Sequence, residues 1–191
     1  MSQINDYLNR QNLYCFDSTW NVDAPLELIW NELINYKKWP AWCKSLEKIE
    51  QLDPFEHLQK GNNIRSTWKG ALPYRIRFDA KIEDYIPYSF LSFNVTGDLH
   101  GEGLCRFLSS PDTRPIKTRI NFIWNVSPTK LWMKMSSPFA RPLFLENHDH
   151  IIETSMAGFT QMMETKIDHT AISRKILHSH HPIPEGLSLK V

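Results

Sequence analysis

Between Pro138 and about Lys166 the sequence carries a period that a helix satisfies and a strand does not. Projected at about 100° per residue, Leu145, His148, Ile152, Ser155, Met156, Phe159 and Met163 fall on one stripe, flanked by Phe144, Ile151 and Met162. Asn147, Glu153, Gln161 and Glu164 point elsewhere. Pro138 and Pro142 stand at or before the expected start, where a missing N–H does least harm. Roughly twenty residues of helix make a rod about 30 Å long, as long as a small domain is wide. An apolar stripe of that length has to be covered, so the rest of the chain should form the surface on which it lies.

That surface reads as strands. Leu13 to Val22 alternates, with Tyr14, Phe16, Trp20 and Val22 on one parity. Pro25 then suits the first position of a helix bearing Leu26, Ile29, Trp30, Leu33 and Ile34 at spacings of three and four, which Trp39-Pro40 ends or bends. One more short helical turn over Ala41 to Leu46 and a strand over Lys48 to Leu52 are expected. Beyond the turn Lys60-Gly61-Asn62-Asn63 the period is two. Ile64, Ser66 and Trp68 alternate with charged or polar neighbours, and Tyr74, Ile76, Phe78, Ala80 and Ile82 face away from Arg75, Arg77, Asp79 and Lys81. Leu91, Phe93 and Val95, and then Ile120, Phe122, Trp124 and Val126, repeat the pattern. Leu104 to Ser109 is also strand-like, but its apolar parity is ambiguous. Successive strands with short links make an antiparallel meander with one wet and one dry face, and the long helix is its cover. The fold class is α+β. It is preceded by a polar leader at residues 1–12, occupies residues 13–168, and is followed by a polar tail at 169–191 in which His178, His180 and His181 lie.

A chain of 191 residues with 41% hydrophobic and 12% aromatic content suits one self-sufficient domain. Lys and Arg number 22 against 21 Asp and Glu, so a net charge of +1 supplies no field for gathering nucleic acid or an acidic membrane. Asp79 interrupts Arg75, Arg77 and Lys81, which read as a solvated sheet face. No P-loop, dinucleotide fingerprint or paired-cysteine zinc pattern occurs, so no cofactor is expected. Cys15, Cys43 and Cys105 are an odd, widely spaced set, expected as free thiols in a reducing compartment. The start MSQINDYLNRQN has no basic segment leading into an apolar one, and no window approaches eighteen apolar residues. A cytoplasmic protein without membrane insertion is expected, and the oligomeric state is left open.

The chain resembles the START-like superfamily, the polyketide cyclase and dehydrase or helix-grip (SRPBCC) proteins. The resemblance rests on Trp20-Asn21-Val22-Asp23-Ala24-Pro25, Ile29-Trp30 and Trp39-Pro40-Ala41-Trp42, then Gly101-Glu102-Gly103 and the strand from Thr118 to Val126, in that order. It covers roughly residues 13–166. It implies a curved seven-stranded antiparallel sheet wrapped around a long C-terminal helix, with a cavity between them for apolar small molecules. No catalytic motif carries over. The Asp112 to Pro115 turn departs from the Gly-rich turn usual in the family, and the tail is extra.

Candidate ligand-binding residues follow from the dry face and the stripe: Trp68, Tyr74, Phe78, Phe93 and Trp124 from the sheet, and His148, Ile152, Ser155, Phe159 and Met163 from the helix. Each aromatic alone is ordinary core; together they spread sheet and helix far enough apart to leave room for a ligand. Trp30, Trp39 and Trp42 are expected to pin the first helices to the sheet rim, with a lid over the entrance as the other use of Trp39 to Trp42. His148 is the weak catalytic candidate, since a neutral imidazole inside the stripe could bond a ligand carbonyl or act as a general base. Its plainer role is a histidine satisfied by structural partners. Ser155, one turn further on, could share a ligand oxygen or bond back to its own helix. His148-Asp149-His150 is no metal motif, because residues two apart diverge by about 200° around a helix. These readings point to a binder or carrier of a lipid, polyketide or aromatic molecule. The alternatives are a cyclase- or dehydratase-like enzyme using His148, or a groove for a protein partner.

Overall fold

The computed structural model describes residues 13–71, 73–110, 116–130 and 137–178, with side chains of the last helix described from 142 to 168. The leader, the Asp112 to Pro115 turn, and His180 and His181 lie outside the described residues. In chain order the elements are β1 (Tyr14–Val22), α1 (Leu26–Ile34), a 3-10 segment (Tyr36–Ala41), β2 (Leu46–Gln51), β3 (Asn63–Trp68), β4 (Ile76–Ile86), β5 (Phe90–Gly97), β6 (Leu99–Ser110), β7 (Lys117–Pro128) and α2 (Ser137–His178).

All seven strands join one antiparallel sheet in the order β1-β7-β6-β5-β4-β3-β2. Strands β2 to β7 are a meander, and β1 pairs with β7 at the far edge. The segment α1 and 3-10 therefore crosses from one edge of the sheet to the other. Register shifts at Leu46/Lys48 and at Ile82/Asp84 add local twist, as bulges do, and the sheet curls into a half-barrel with α2 on its concave side.

Alternation places the dry face as the period of two requires. Tyr14, Trp20 and Val22 of β1, Ile76, Phe78 and Ile82 of β4, Val95 of β5, and Ile120 and Val126 of β7 are buried. Strand β6 resolves its ambiguous parity through glycine. Its inward positions are Leu99, Gly101, Gly103, Cys105 and Phe107, while Leu108, 58% exposed, faces out. Tyr74 and Arg75 precede β4 rather than opening it.

Four helical expectations are corrected. Pro25 is the N-cap of α1, not its first residue, and α1 stops at Ile34, where the Asn35 backbone leaves the helical region. The Trp39 indole N–H then donates to the Leu33 carbonyl at 3.0 Å, satisfying one of the acceptors that a helix end leaves open. The short helical turn falls on Tyr36–Ala41 instead of Ala41 to Leu46. Pro142 lies inside α2. The buried line of α2 follows the projected stripe at Ser155, Phe159 and Met163 and departs from it at the N-terminal end, where Phe144 and Asn147 are buried and Leu145 is 39% exposed. There the link between β3 and β4 approaches α2, and Gly70 lies so close that a Cβ on it would land on the Asn147 side chain.

Two apolar clusters hold the layers together. One joins Trp20, Ile29, Trp30, Trp42, Phe107, Ile120, Phe159 and Met163, tying α1 and the C-terminal part of α2 to the sheet. The other joins Tyr14, Ile76, Phe78, Val95, Leu99, Val126 and Phe144 around the N-terminal part of α2. No helix among the described residues is long and apolar enough to cross a membrane.

Candidate functional site

A cavity of about 250 Å³ lies between the concave sheet and α2, lined by members of both clusters. Its floor is a row of residues in register across five strands: Ile82, Phe93, Gly103, Trp124 and Phe16. Gly103 makes the row possible, because a Cβ there would collide with the Phe93 ring, which lies over it. Phe93 meets Trp124 edge to face at 5.1 Å, and Trp124 meets Phe78 in the same manner at 5.7 Å. The roof is the α2 face that carries Phe144, Asn147, His148, Ile151, Ile152 and Ser155.

Of the residues singled out from sequence, Trp68, Phe78, Phe93, Trp124, His148, Ile152 and Ser155 are brought together on the cavity wall. Phe159 and Met163 do not reach it. They are 0% and 1% exposed and form solid core with Trp20 and Trp42, because Trp42 and the residues just after it pack against that end of α2. Tyr74, in the link before β4, packs against the second cluster and does not line the cavity. Sequence reasoning missed Leu58, Cys43, Cys105, Asn147, Leu33, Ile34 and Tyr36 as lining residues. Phe16, Trp20 and Phe122 were legible as dry-face residues; Leu58, in a loop without period, was not.

The residues that follow the 3-10 segment are tied to α2. A Cβ on Gly158 would land on the Trp42 carbonyl oxygen, so the glycine lets the two backbones touch. The thiol of Cys43 and hydroxyl of Ser155 are 3.1 Å apart, Ser45 and Thr154 hydroxyls 3.2 Å apart, and Lys166 pairs with Glu32 of α1. Trp42 packs edge-on against Phe159 at 5.1 Å, and Trp30 against Phe107 at 5.1 Å. The tryptophans are pins. The opposite wall is held by Asp53, whose carboxylate accepts from the Phe55 backbone N–H and the Asn62 amide, and by the Tyr85 hydroxyl, which donates to the carbonyl of Leu58.

Among the described residues that line the cavity there is no Asp, Glu, Lys or Arg. Burial pushes the thiol of Cys43 up, partly offset by its hydrogen bond with Ser155, and pushes that of Cys105 well above the usual thiol range. Both are neutral thiols. Burial raises the Tyr36 phenol, with the charge of Asp53 acting in the same sense. His148 stacks on Phe16 with ring centres 3.7 Å apart and planes within 11°. Burial lowers its pKa against the opposing pull of Asp149, whose carboxylate lies 3.2 Å from Nδ1. The ring is therefore neutral at pH 7, with Nδ1 protonated toward Asp149 and Nε2 left as an acceptor. Nε2 is buried with no partner among the described residues, as are the indole N–H groups of Trp20 and Trp42. Asp149 and His150 sit on the exposed side of α2. On the outer sheet face Arg65 and Arg75 form two-point pairs with Asp79 and Glu47.

No protein-family model matches the sequence, and no curated protein matches it. Solved structures do. The aromatase/cyclase Zhui from Streptomyces sp. R1128 superposes with a TM-score of 0.65 at 14% identity, over 81% of this chain and 96% of its own. TTHA0849 from Thermus thermophilus gives 0.57 at 14% identity, over 76% of this chain and 96% of its own. The di-domain aromatase/cyclase BexL from the BE-7585A biosynthetic pathway gives 0.62 at 11% identity, over 85% of this chain and 54% of its own. At such identities the likeness is one of architecture: this chain shares the helix-grip fold of these aromatase/cyclase structures.

Proposed function

We propose that the protein binds an apolar, ring-containing small molecule of polyketide or aromatic type in the cavity between sheet and α2, and that it acts by holding the molecule. The observation that carries this reading is the wall itself, almost wholly apolar and aromatic and without an ionised side chain among the described lining residues. Such a wall favours ring systems by area and dispersion, and gives polar substrates little to bond. The aromatase/cyclase neighbours support the ligand class. Recognition of nucleic acid is not favoured, since the net charge is +1 and Arg65 and Arg75 spend their donors on Asp79 and Glu47.

A second reading, a cyclase- or dehydratase-like enzyme, draws on one observation: the neutral, partnerless Nε2 of His148 belongs to a cavity residue. The two are separated by Ser155→Phe and His148→Ala, assayed for ligand affinity and product formation with a molecule recovered by native mass spectrometry of protein from its own host. Holding predicts that Ser155→Phe abolishes binding, that His148→Ala binds within about tenfold of wild type, and that no variant turns the ligand over. Turnover by wild type that falls by about a hundredfold or more in His148→Ala at unchanged affinity would promote the enzyme.

A further inference from the structure

Strand β6 carries two inward glycines, and they are there for different reasons. Gly101 has a φ of +153°, and a Cβ on it would stand 2.0 Å from the Asn125 carbonyl oxygen, so the backbone itself requires glycine. Gly103 lies outside the left-handed region. The three atoms nearest to a Cβ built on it all belong to the far edge of the Phe93 ring, with Cε2 and Cζ at 2.3 Å and Cε1 at 3.1 Å. Glycine inside a strand weakens it, and here it makes a seat for a ring.

Phe93 lines the cavity and is only half-buried although it stands on the concave face. Strands β5 and β6 are each paired on both sides, so the backbone at both positions is fixed and the ring is the part that can move. Trp124, edge to face with Phe93 at 5.1 Å, is also held by Phe78 at 5.7 Å, so it keeps an aromatic partner when the Phe93 ring is removed. A dry cavity of about 150 Å³ takes one benzene ring, so one of about 250 Å³ takes roughly ten ring atoms, which is two fused rings. Truncating Phe93 to alanine takes a phenyl group from the wall and so adds roughly one ring of space. A methyl at Gly103 acts in the opposite sense. Carbons in contact stay about 3.5 to 4 Å apart, so that methyl lifts the far edge of the ring by roughly 1 Å or more, off the sheet and into the cavity.

On the reading that the cavity holds an apolar ring compound, we propose that Phe93, seated on Gly103, is the residue that limits the ligand's ring count: two fused rings with the phenyl seated, a third where it is removed, and fewer where it is lifted.

The test is calorimetric titration of the full chain with a one-, a two- and a three-ring ketone: acetophenone, 1-tetralone and anthrone. Apolar area alone would make anthrone the tightest of the three. In wild type 1-tetralone should instead bind about tenfold or more tightly than anthrone. Phe93→Ala should raise anthrone affinity by about tenfold or more while changing that of 1-tetralone by less than about threefold. Gly103→Ala should weaken 1-tetralone by about tenfold and leave acetophenone within about threefold. With the ring gone the new methyl has nothing to displace, so the double variant should match Phe93→Ala and the two effects should not add. A general loosening of the sheet would instead weaken all three ketones alike. Phe93→Leu should move the anthrone-to-tetralone ratio in the same direction by a smaller factor, and it carries the test where the alanine variant does not fold; the wild-type series needs no variant. Anthrone binding as tightly as 1-tetralone in wild type, a ratio that neither Phe93 variant moves, or additive effects in the double variant would each overturn the proposal while leaving an apolar binding cavity in place. Absence of saturable binding by any of the ketones in wild type would instead remove the cavity's role, and this proposal with it.

Discussion

Gly158 shows how one residue without a side chain decides the position of a helix. In an exposed helix, Gly→Ala gains about 1 kcal/mol of propensity. Here the new methyl would meet the Trp42 carbonyl, part of a segment tied down by Ser45 and Cys43, so Gly158→Ala should lose about 1 to 3 kcal/mol in urea unfolding. An unchanged or raised midpoint would mean that α2 and the Trp42 backbone do not touch. His148 makes a second prediction at this scale. Its folded-state pKa lies below its ordinary value, so in the window below about pH 6.5 the unfolded chain binds the proton that the folded chain refuses. Stability should therefore fall as pH drops through that window and be flat with respect to this group above it. The slope is at most about 1.4 kcal/mol per pH unit, and His148→Phe should remove that share from melting curves between pH 7 and 5.

At the scale of elements, alternation and helical period carried most of the information. Tyr14, Phe78, Val95 and Ile120 are buried where a period of two puts them, and Phe159 is fully enclosed on α2. Strand β6 could not be phased, because Gly101 and Gly103 occupy inward positions while Leu108 faces water, and hydrophobicity is blind to a position that must be empty. The buried line of α2 departs from its helical projection at Leu145 and Asn147, where the β3–β4 link approaches through Gly70, a contact distant in sequence. Cavity and core could not be told apart either: Phe159 and Ser155 share one face of α2, yet only Ser155 lines the cavity. Phe159→Ala should thus behave as a core truncation, costing about 3 to 5 kcal/mol by chemical denaturation, and Phe159→Asp should prevent folding. A Phe159→Ala variant as stable as wild type would contradict the close packing of α2 on Trp20 and Trp42.

For the whole molecule, the sheet has two edge strands, and the link containing α1 bridges them, while α2 fills only part of the space that the curl encloses. What remains is the cavity, flanked by the contacts that tie Cys43 and Ser45 to α2. The free thiols of Cys43 and Cys105 are enclosed and Cys15 is exposed, so a thiol reagent should label Cys15 fast and the other two only on unfolding. Equal labelling of all three in the native state would mean that the enclosed space is open to water. The central claim, that the space between sheet and α2 takes an apolar ring compound, is tested most directly by following the ¹⁵N-labelled indole N–H resonances during titration with 1-tetralone. Saturable shifts of Trp42, Trp68 and Trp124 that disappear in a folded Ser155→Phe variant are predicted. Shifts that persist in that variant, or indoles that do not respond at all, would contradict it.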